Sequence, residues 1–241
     1  HEMVVDVSQH FFRVEPADKS VDLNEHGERL VEALKVVLRG EARDDGLNAL
    51  ILTAGLDYRE VEVLRAYIAW SRQHGATLPI PVVHQAWNNH PKAAGLLLRL
   101  FRSRFKPLLG DAHDADRQRL VGRNHRAFEK YLDGVALVSE DRILRRAGVL
   151  VMATLRTNHW SGATKDGHPL SMKLDCSQVD ELPEPRPYRE IFVHHLDVEG
   201  VHLRGGPVAR GGLRWSDRPS DFRTEILGLM DTQMVKNVLI V

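Results

Sequence analysis

The stretch His202-Leu203-Arg204-Gly205-Gly206-Pro207-Val208-Ala209-Arg210-Gly211-Gly212-Leu213-Arg214-Trp215 places two Arg-Gly-Gly triplets between a strand-like run and the start of a helix. Glycine has no Cβ and tolerates positive φ, so paired glycines let the backbone approach a bound anion closely. Arginine adds a planar fork that matches a carboxylate. Taken alone, the glycine pairs are better read as hairpin turns between the strand-like runs around them.

The helix that follows begins near Ser220 and carries Gln233 and Lys236 near its end. At about 100° per residue, with Phe222 at zero, Ile226, Leu229, Met230 and Gln233 fall within roughly 80° of it, and Lys236 lies only about 20° from Leu229. An amide and an ammonium therefore sit on or beside the stripe expected to face the core. An unpartnered buried ammonium costs several kcal/mol, so Lys236 is expected at the rim or against an anion. Residues three apart are neighbours on a helix surface, which lets Gln233 and Lys236 grip one carboxylate. A lysine in a last turn also complements the helix dipole and then needs no ligand.

Upstream of this region the punctuation is that of a sheet. Gly167, Pro169, Pro183, Pro185 and Pro187 interrupt any helix, leaving Leu170 to Leu174, Tyr188 to His195, Val198 to Leu203 and Val208 to Trp215 as candidate strands. Before Lys165 the pattern is helical. Asn24 is placed to cap a helix running to about Arg39, ended by Gly40, and Asp57 to cap one over Tyr58 to His74, ended by Gly75. Pro91 opens a helix that stops near Pro107, and Ser139 with Glu140 and Asp141 opens one running to about Asn158. The chain is thus expected to be α+β, with a helical N-terminal two thirds followed by a strand-rich segment and a helix. Its sections are 1–20, strand-like and read as the end of a preceding domain; 21–160, helical; and 161–241, the truncated start of a substrate-binding α/β domain.

The 241 residues suffice for one or two domains, and 43% hydrophobic content is enough for a real core. Thirty-three acidic residues balance thirty-three basic ones, so no global charge draws the chain to nucleic acid or anionic lipid. The single cysteine, Cys176, has no intrachain partner, fits a reducing cytoplasm, and reads as an inert core residue. No apolar run approaches the ~20 residues of a membrane span, and no signal-peptide pattern is present.

The long ungapped run from Gly200 to Arg218, with Asp221-Phe222-Arg223-Thr224-Glu225 and Gln233-Met234-Val235-Lys236-Asn237 after it, closely resembles the large bacterial NAD-specific glutamate dehydrogenases. Asp44-Asp45-Gly46-Leu47-Asn48, Ala54-Gly55-Leu56-Asp57-Tyr58-Arg59-Glu60-Val61 and Leu182-Pro183-Glu184-Pro185-Arg186-Pro187 also resemble that family. The resemblance implies a glutamate-dehydrogenase-like substrate domain. It places Arg210, before Gly211 and Gly212, on one substrate carboxylate, where lysine is usual, and Gln233 with Lys236 on the other. It further implies a catalytic lysine in a glycine-rich loop beyond Val241, L-glutamate and 2-oxoglutarate as substrates, a homo-oligomer, and NAD bound by a domain not present in this chain. No Gly-x-Gly-x-x-Gly stands here between a strand and a helix. The apolar run Val238-Leu239-Ile240-Val241 and the non-methionine start at His1 are read as the ends of an internal piece of a larger polypeptide.

Other constellations point elsewhere and are weaker. His194, His195 and His202 suggest a metal, yet adjacent strand residues face opposite ways and no further ligand has the right spacing. Asp111, His113, Asp114 and Asp116 lack the glycine and terminal glutamate of a calcium loop and read as a solvated turn. Nine basic residues against four acidic ones from Arg99 to Lys130 read as a solvated helix face or a partner surface. Two alternatives stand beside the enzyme reading: a helical regulatory or oligomerisation module without chemistry of its own, and nucleic-acid contacts from the Arg-Gly-Gly triplets. Aromatic residues at 6% and zero net charge count against the last.

Overall fold

The computed structural model describes residues 11, 22–108, 114–161, 168–207 and 214–235, with backbone alone for 233–235. Helices α1 (Leu23–Leu38), α2 (Leu50–Thr53), α3 (Tyr58–Gln73), α4 (Ile80–Asn89), α5 (Pro91–Phe105), α6 (Asp114–Leu132) and α7 (Val138–Ala153) precede strands β1 (Thr154–Thr157), β2 (Leu170–Leu174), β3 (Arg189–His194) and β4 (Glu199–Arg204), and α8 (Phe222–Val235) follows. The fold is α+β, as the sequence predicts. None of these helices is long and apolar enough to cross a membrane.

The cap of α3 is as expected and closes on both sides. Asp57 accepts from the Glu60 backbone N–H at 2.9 Å while the Glu60 carboxylate accepts from Asp57 N–H at 3.2 Å. Two orphan donors are satisfied together, worth about 1 kcal/mol for such a cap. At α1 the cap is Asp22, not Asn24: the Asp22 carboxylate takes the Asn24 N–H at 2.7 Å, and its charge also suits the positive helix end. Gly40 and Gly75 follow their helices with φ of 70° and 79°, conformations that a Cβ would strain.

Three elements depart from the sequence pattern. The helix expected from Ser139 starts at Val138, where Leu137 offers no side-chain cap, and stops at Ala153 instead of near Asn158. Thr154 to Thr157 leave it to pair with β2, a conformation that suits β-branched threonine. Helix α4, which the sequence reading did not include, tolerates Pro81 within its first turn, where no intrahelical N–H is needed. Asp114 and Asp116 form the first turn of α6, not a loop, while Asp111 and His113 lie outside the described residues.

One apolar cluster runs from the helices into the sheet, with Trp70, Trp87, Phe101, Phe128, Leu144, Met172 and Phe192 among its members. Arg65, 4% exposed, crosses the polar edge of this cluster. Its guanidinium donates to both Asp45 oxygens at 2.7 and 2.9 Å and to Asn48 Oδ1 at 2.8 Å, which fastens the Gly46–Ala49 turn to α3. Several basic residues of the Arg99 to Lys130 stretch are likewise structural. Arg104 donates to the carbonyls of Met152 and Thr154 at 3.0 and 2.8 Å, and Arg117 to those of Ser103, Arg104 and Lys106 at the end of α5.

The four strands form an antiparallel meander in the order β1-β2-β3-β4. Register pairs Leu174 with Glu190, Met172 with Phe192, Phe192 with Val201 and Glu190 with Leu203. These residues share the face that packs on the helices. The opposite face carries Lys173 beside Arg156, and Arg189 opposite Arg204. Desolvation and the three neighbouring guanidiniums draw the Lys173 ammonium below its ordinary pKa. Arg189 shares part of its charge with Asp175, 2.8 Å away.

Candidate functional site

Helix α8 carries Gln233 of the predicted substrate grip, and its fastenings gather at its N-terminal end. Ahead of the helix, Ser216 Oγ donates to Glu225 at 2.9 Å, Arg214 pairs with Glu225, and Arg218 pairs with Asp221, whose carbonyl accepts the Thr224 N–H at 2.9 Å. Phe222 packs against the apolar cluster. From Phe222 to Thr232 the one buried residue is Arg223, at 2% exposure. The predicted stripe is therefore not what the helix buries deepest. Phe222, Ile226 and Met230 are half-buried, Leu229 is 40% exposed, and a charged side chain points into the molecule.

A buried charge needs a partner, and here it is Glu190. The Arg223 guanidinium donates to Glu190 at 2.8 to 3.2 Å through Nη2 and Nε, with side-chain exposures of 3% and 0%. His74, at the end of α3, stacks on Trp70 with ring centroids 3.5 Å apart and presents Nε2 to Glu190 at 3.3 Å. Gln73 completes the joint. Its Nε2 donates to the Pro219 carbonyl at 2.8 Å, and its Oε1 accepts the Arg223 backbone N–H at 3.4 Å. Three elements, α3, β3 and α8, thus meet at one ionic node.

Protonation at the node follows from who can donate. Nδ1 of His74 faces the Trp70 carbonyl at 2.7 Å and Nε2 faces a carboxylate, so both nitrogens meet acceptors. A neutral ring has one N–H and satisfies one of them; the imidazolium satisfies both. Burial disfavours the charged ring and prevails over Glu190's pull, setting the His74 pKa below its usual 6.5. For Glu190, burial pushes the carboxyl up, but His74 and Arg223 outweigh it and hold it below 4.5.

Comparison with known proteins places these elements. Residues 127–241 match the family described as bacterial NAD-glutamate dehydrogenase, catalytic domain, and residues 42–107 match glutamate dehydrogenase, helical motif 3. The NAD-specific glutamate dehydrogenase of Mycobacterium tuberculosis is 44% identical over 217 residues, covering 88% of this chain and 13% of that protein. Those of Pseudomonas aeruginosa and Halomonas elongata are each 43% identical, over 226 and 231 residues, covering 92% of this chain and 14% of each relative. The chain belongs to the bacterial NAD-specific glutamate dehydrogenase family. It spans 13 to 14% of the length of these curated relatives.

Gln233 falls in the last turn of α8, and its side chain lies outside the described residues. Arg210, Gly211, Gly212 and Lys236 also lie outside them, as does most of the expected strand Val208 to Trp215; its last residues, Arg214 and Trp215, are not in a strand. Of the three histidines, His194 faces the helices between Glu62 at 3.8 Å and Glu199 at 3.5 Å, whereas His202 is on the opposite sheet face. Among the described residues no three potential metal ligands gather. Cys176 is buried, and burial with nearby Glu190 pushes its thiol up to about 12, which makes it inert at neutral pH.

The residues that sequence reasoning missed are Gln73, His74, Glu190 and Arg223. One signal for them was available. In the run Arg189 to His194, Glu190 shares parity with Phe192, so a carboxylate was bound to face the core and require a cation.

Proposed function

We propose that this segment supplies substrate-carboxylate binding in an NAD-dependent glutamate dehydrogenase that converts L-glutamate to 2-oxoglutarate and ammonium. Glutamate carries two carboxylates and so asks for two anion sites. Arg210, with the close backbone approach allowed by Gly211 and Gly212, takes one; Gln233 and Lys236 take the other. Held at both ends, the substrate presents its α-carbon in a fixed orientation. NAD, bound by a part of the polypeptide outside this chain, supplies the hydride acceptor. The catalytic lysine is placed beyond Val241, so the chain alone is expected to make no NADH from glutamate and NAD. In this proposal residues 21–160 are helical scaffold, 161–241 begin the substrate domain, and the intact enzyme works as a cytoplasmic homo-oligomer.

The observation that carries this reading is the seating of α8, which bears Gln233, against β4, whose end leads into the Arg-Gly-Gly stretch. Lys236→Ala and Arg210→Ala in the intact protein test it. Truncating one partner of a buried charged pair typically costs about 2–5 kcal/mol, so KM for glutamate should rise on the order of 100-fold. Unchanged kinetics in both variants would discard the assignment.

A further inference from the structure

We propose that Glu190 and Arg223 are positioning residues for glutamate binding, fixing through the root of α8 where Gln233 and Lys236 stand. The inference rests on the reading of α8 as the helix that grips substrate. Neither residue is expected to touch glutamate.

The argument begins with how unevenly α8 is held. Beyond Arg223, its described residues to Thr232 are half-buried or exposed, with Thr224, Gly228, Leu229, Asp231 and Thr232 on the open side. Apolar packing of that kind resists separation but leaves rotation and tilt comparatively free. Directional restraint comes instead from the node: the Arg223 fork on Glu190, the Gln73 amide between Pro219 and the Arg223 N–H, and His74 behind the carboxylate. Glu190 is itself anchored mid-sheet, paired with Leu174 on one side and Leu203 on the other. The helix is thereby referenced to the same sheet whose last strand leads into the Arg210 segment.

Leverage makes this reference matter. Ten residues separate Arg223 from Gln233, about 15 Å along a helix axis, so a tilt of about 10° at the root moves the far end by ~3 Å. Misplacement by about 1 Å can cost on the order of 100-fold in an oriented site. A buried ion pair is a poor source of net stability but a strict geometric one, since apolar side chains of similar volume replace it with little loss of stability.

That contrast supplies the experiment, run on the intact protein. The double variant E190L/R223M fills the node with apolar side chains of similar size and removes the fork. His74 then keeps its Nδ1 bond to the Trp70 carbonyl as a neutral ring. The expected result is a Tm close to wild type, with KM for glutamate raised about tenfold or more and kcat and KM for NAD changed less than about twofold. Wild-type KM for glutamate in a folded double variant overturns the proposal.

If the double variant does not fold, Arg223→Lys decides. It keeps the charge but loses the two-pronged contact, and should raise KM for glutamate about threefold or more; a wild-type KM there overturns the proposal equally. Lys236→Ala, assayed in parallel, separates this inference from the one beneath it. A raised KM in Lys236→Ala with none in the node variants removes the positioning role alone. No effect in Lys236→Ala removes the substrate-helix reading.

Discussion

The guanidinium of Arg223 meets the carboxylate of Glu190 at 2.8 Å, with the two side chains 3% and 0% exposed and the residues thirty-three positions apart in sequence. Removing either member alone leaves the other charge out of water without this partner. Arg223→Met alone strands Glu190 against His74, and the expected loss is about 3–5 kcal/mol of stability. Urea unfolding of Arg223→Met beside E190L/R223M checks it, since the double variant should be the more stable of the two.

The same node makes stability depend on pH in a stated direction. His74 is held below 6.5, so the unfolded chain takes up a proton first as pH falls from 6.5, and the fold loses stability over that range. Glu190 is held below 4.5, so its contribution is complete above 4.5 and is lost as pH falls through its folded value. Unfolding midpoints at pH 7.5, 5.5 and 4 should therefore decline in sequence. His74→Gln should flatten the upper part of that decline and not the lower.

Two glycines that look alike in sequence should respond oppositely to alanine. A Cβ on Gly148 would lie 2.6 Å from Cε1 of Phe128, a fully buried ring. Overpacking at about 1–3 kcal/mol exceeds the ~1 kcal/mol that alanine adds in a helix, so Gly148→Ala should destabilise. At Gly95 an added Cβ would meet the Ala54 carbonyl oxygen at 3.8 Å, an ordinary contact. Gly95→Ala should stabilise by about 0.5–1 kcal/mol, and thermal melts of the two variants would expose an error in either sign.

Tyr67 and Thr154 share a buried bond of 2.9 Å whose donor can be assigned, because Thr154 Oγ1 already gives its hydrogen to the Leu150 carbonyl at 2.7 Å. Tyr67 is therefore the donor. Thr154→Val strands that hydroxyl at about 1–3 kcal/mol, whereas Tyr67→Phe removes it for about 0.5–1.5 kcal/mol. Chemical denaturation should rank Thr154→Val as the more damaging change.

The parts of the fold legible in the sequence are those decided locally. The box at Asp57, the strand Leu170 to Leu174 and the glycine stops at 40 and 75 follow from neighbours a few residues away. What escaped was set by distant residues. Thr154 to Thr157 continue a helical pattern, and β2, thirteen or more residues on, draws them into the sheet. Arg223 sits off the apolar stripe of α8, and only the arrival of β3 and α3 turns that side inward. The expected grip of Arg210, Gln233 and Lys236 came from local spacing and the family resemblance, while the node that roots α8 is written in four residues spread over 150 positions.

The outward sheet face, with Arg156, Lys173, Arg189 and Arg204 on adjoining strands, has a colloidal consequence. Two molecules approaching across that face meet repulsion before they meet surface, over a range of roughly 8 Å at physiological ionic strength. Adding salt thins this cushion, so it is concentrated electrolyte, not dilute buffer, that brings such faces into contact.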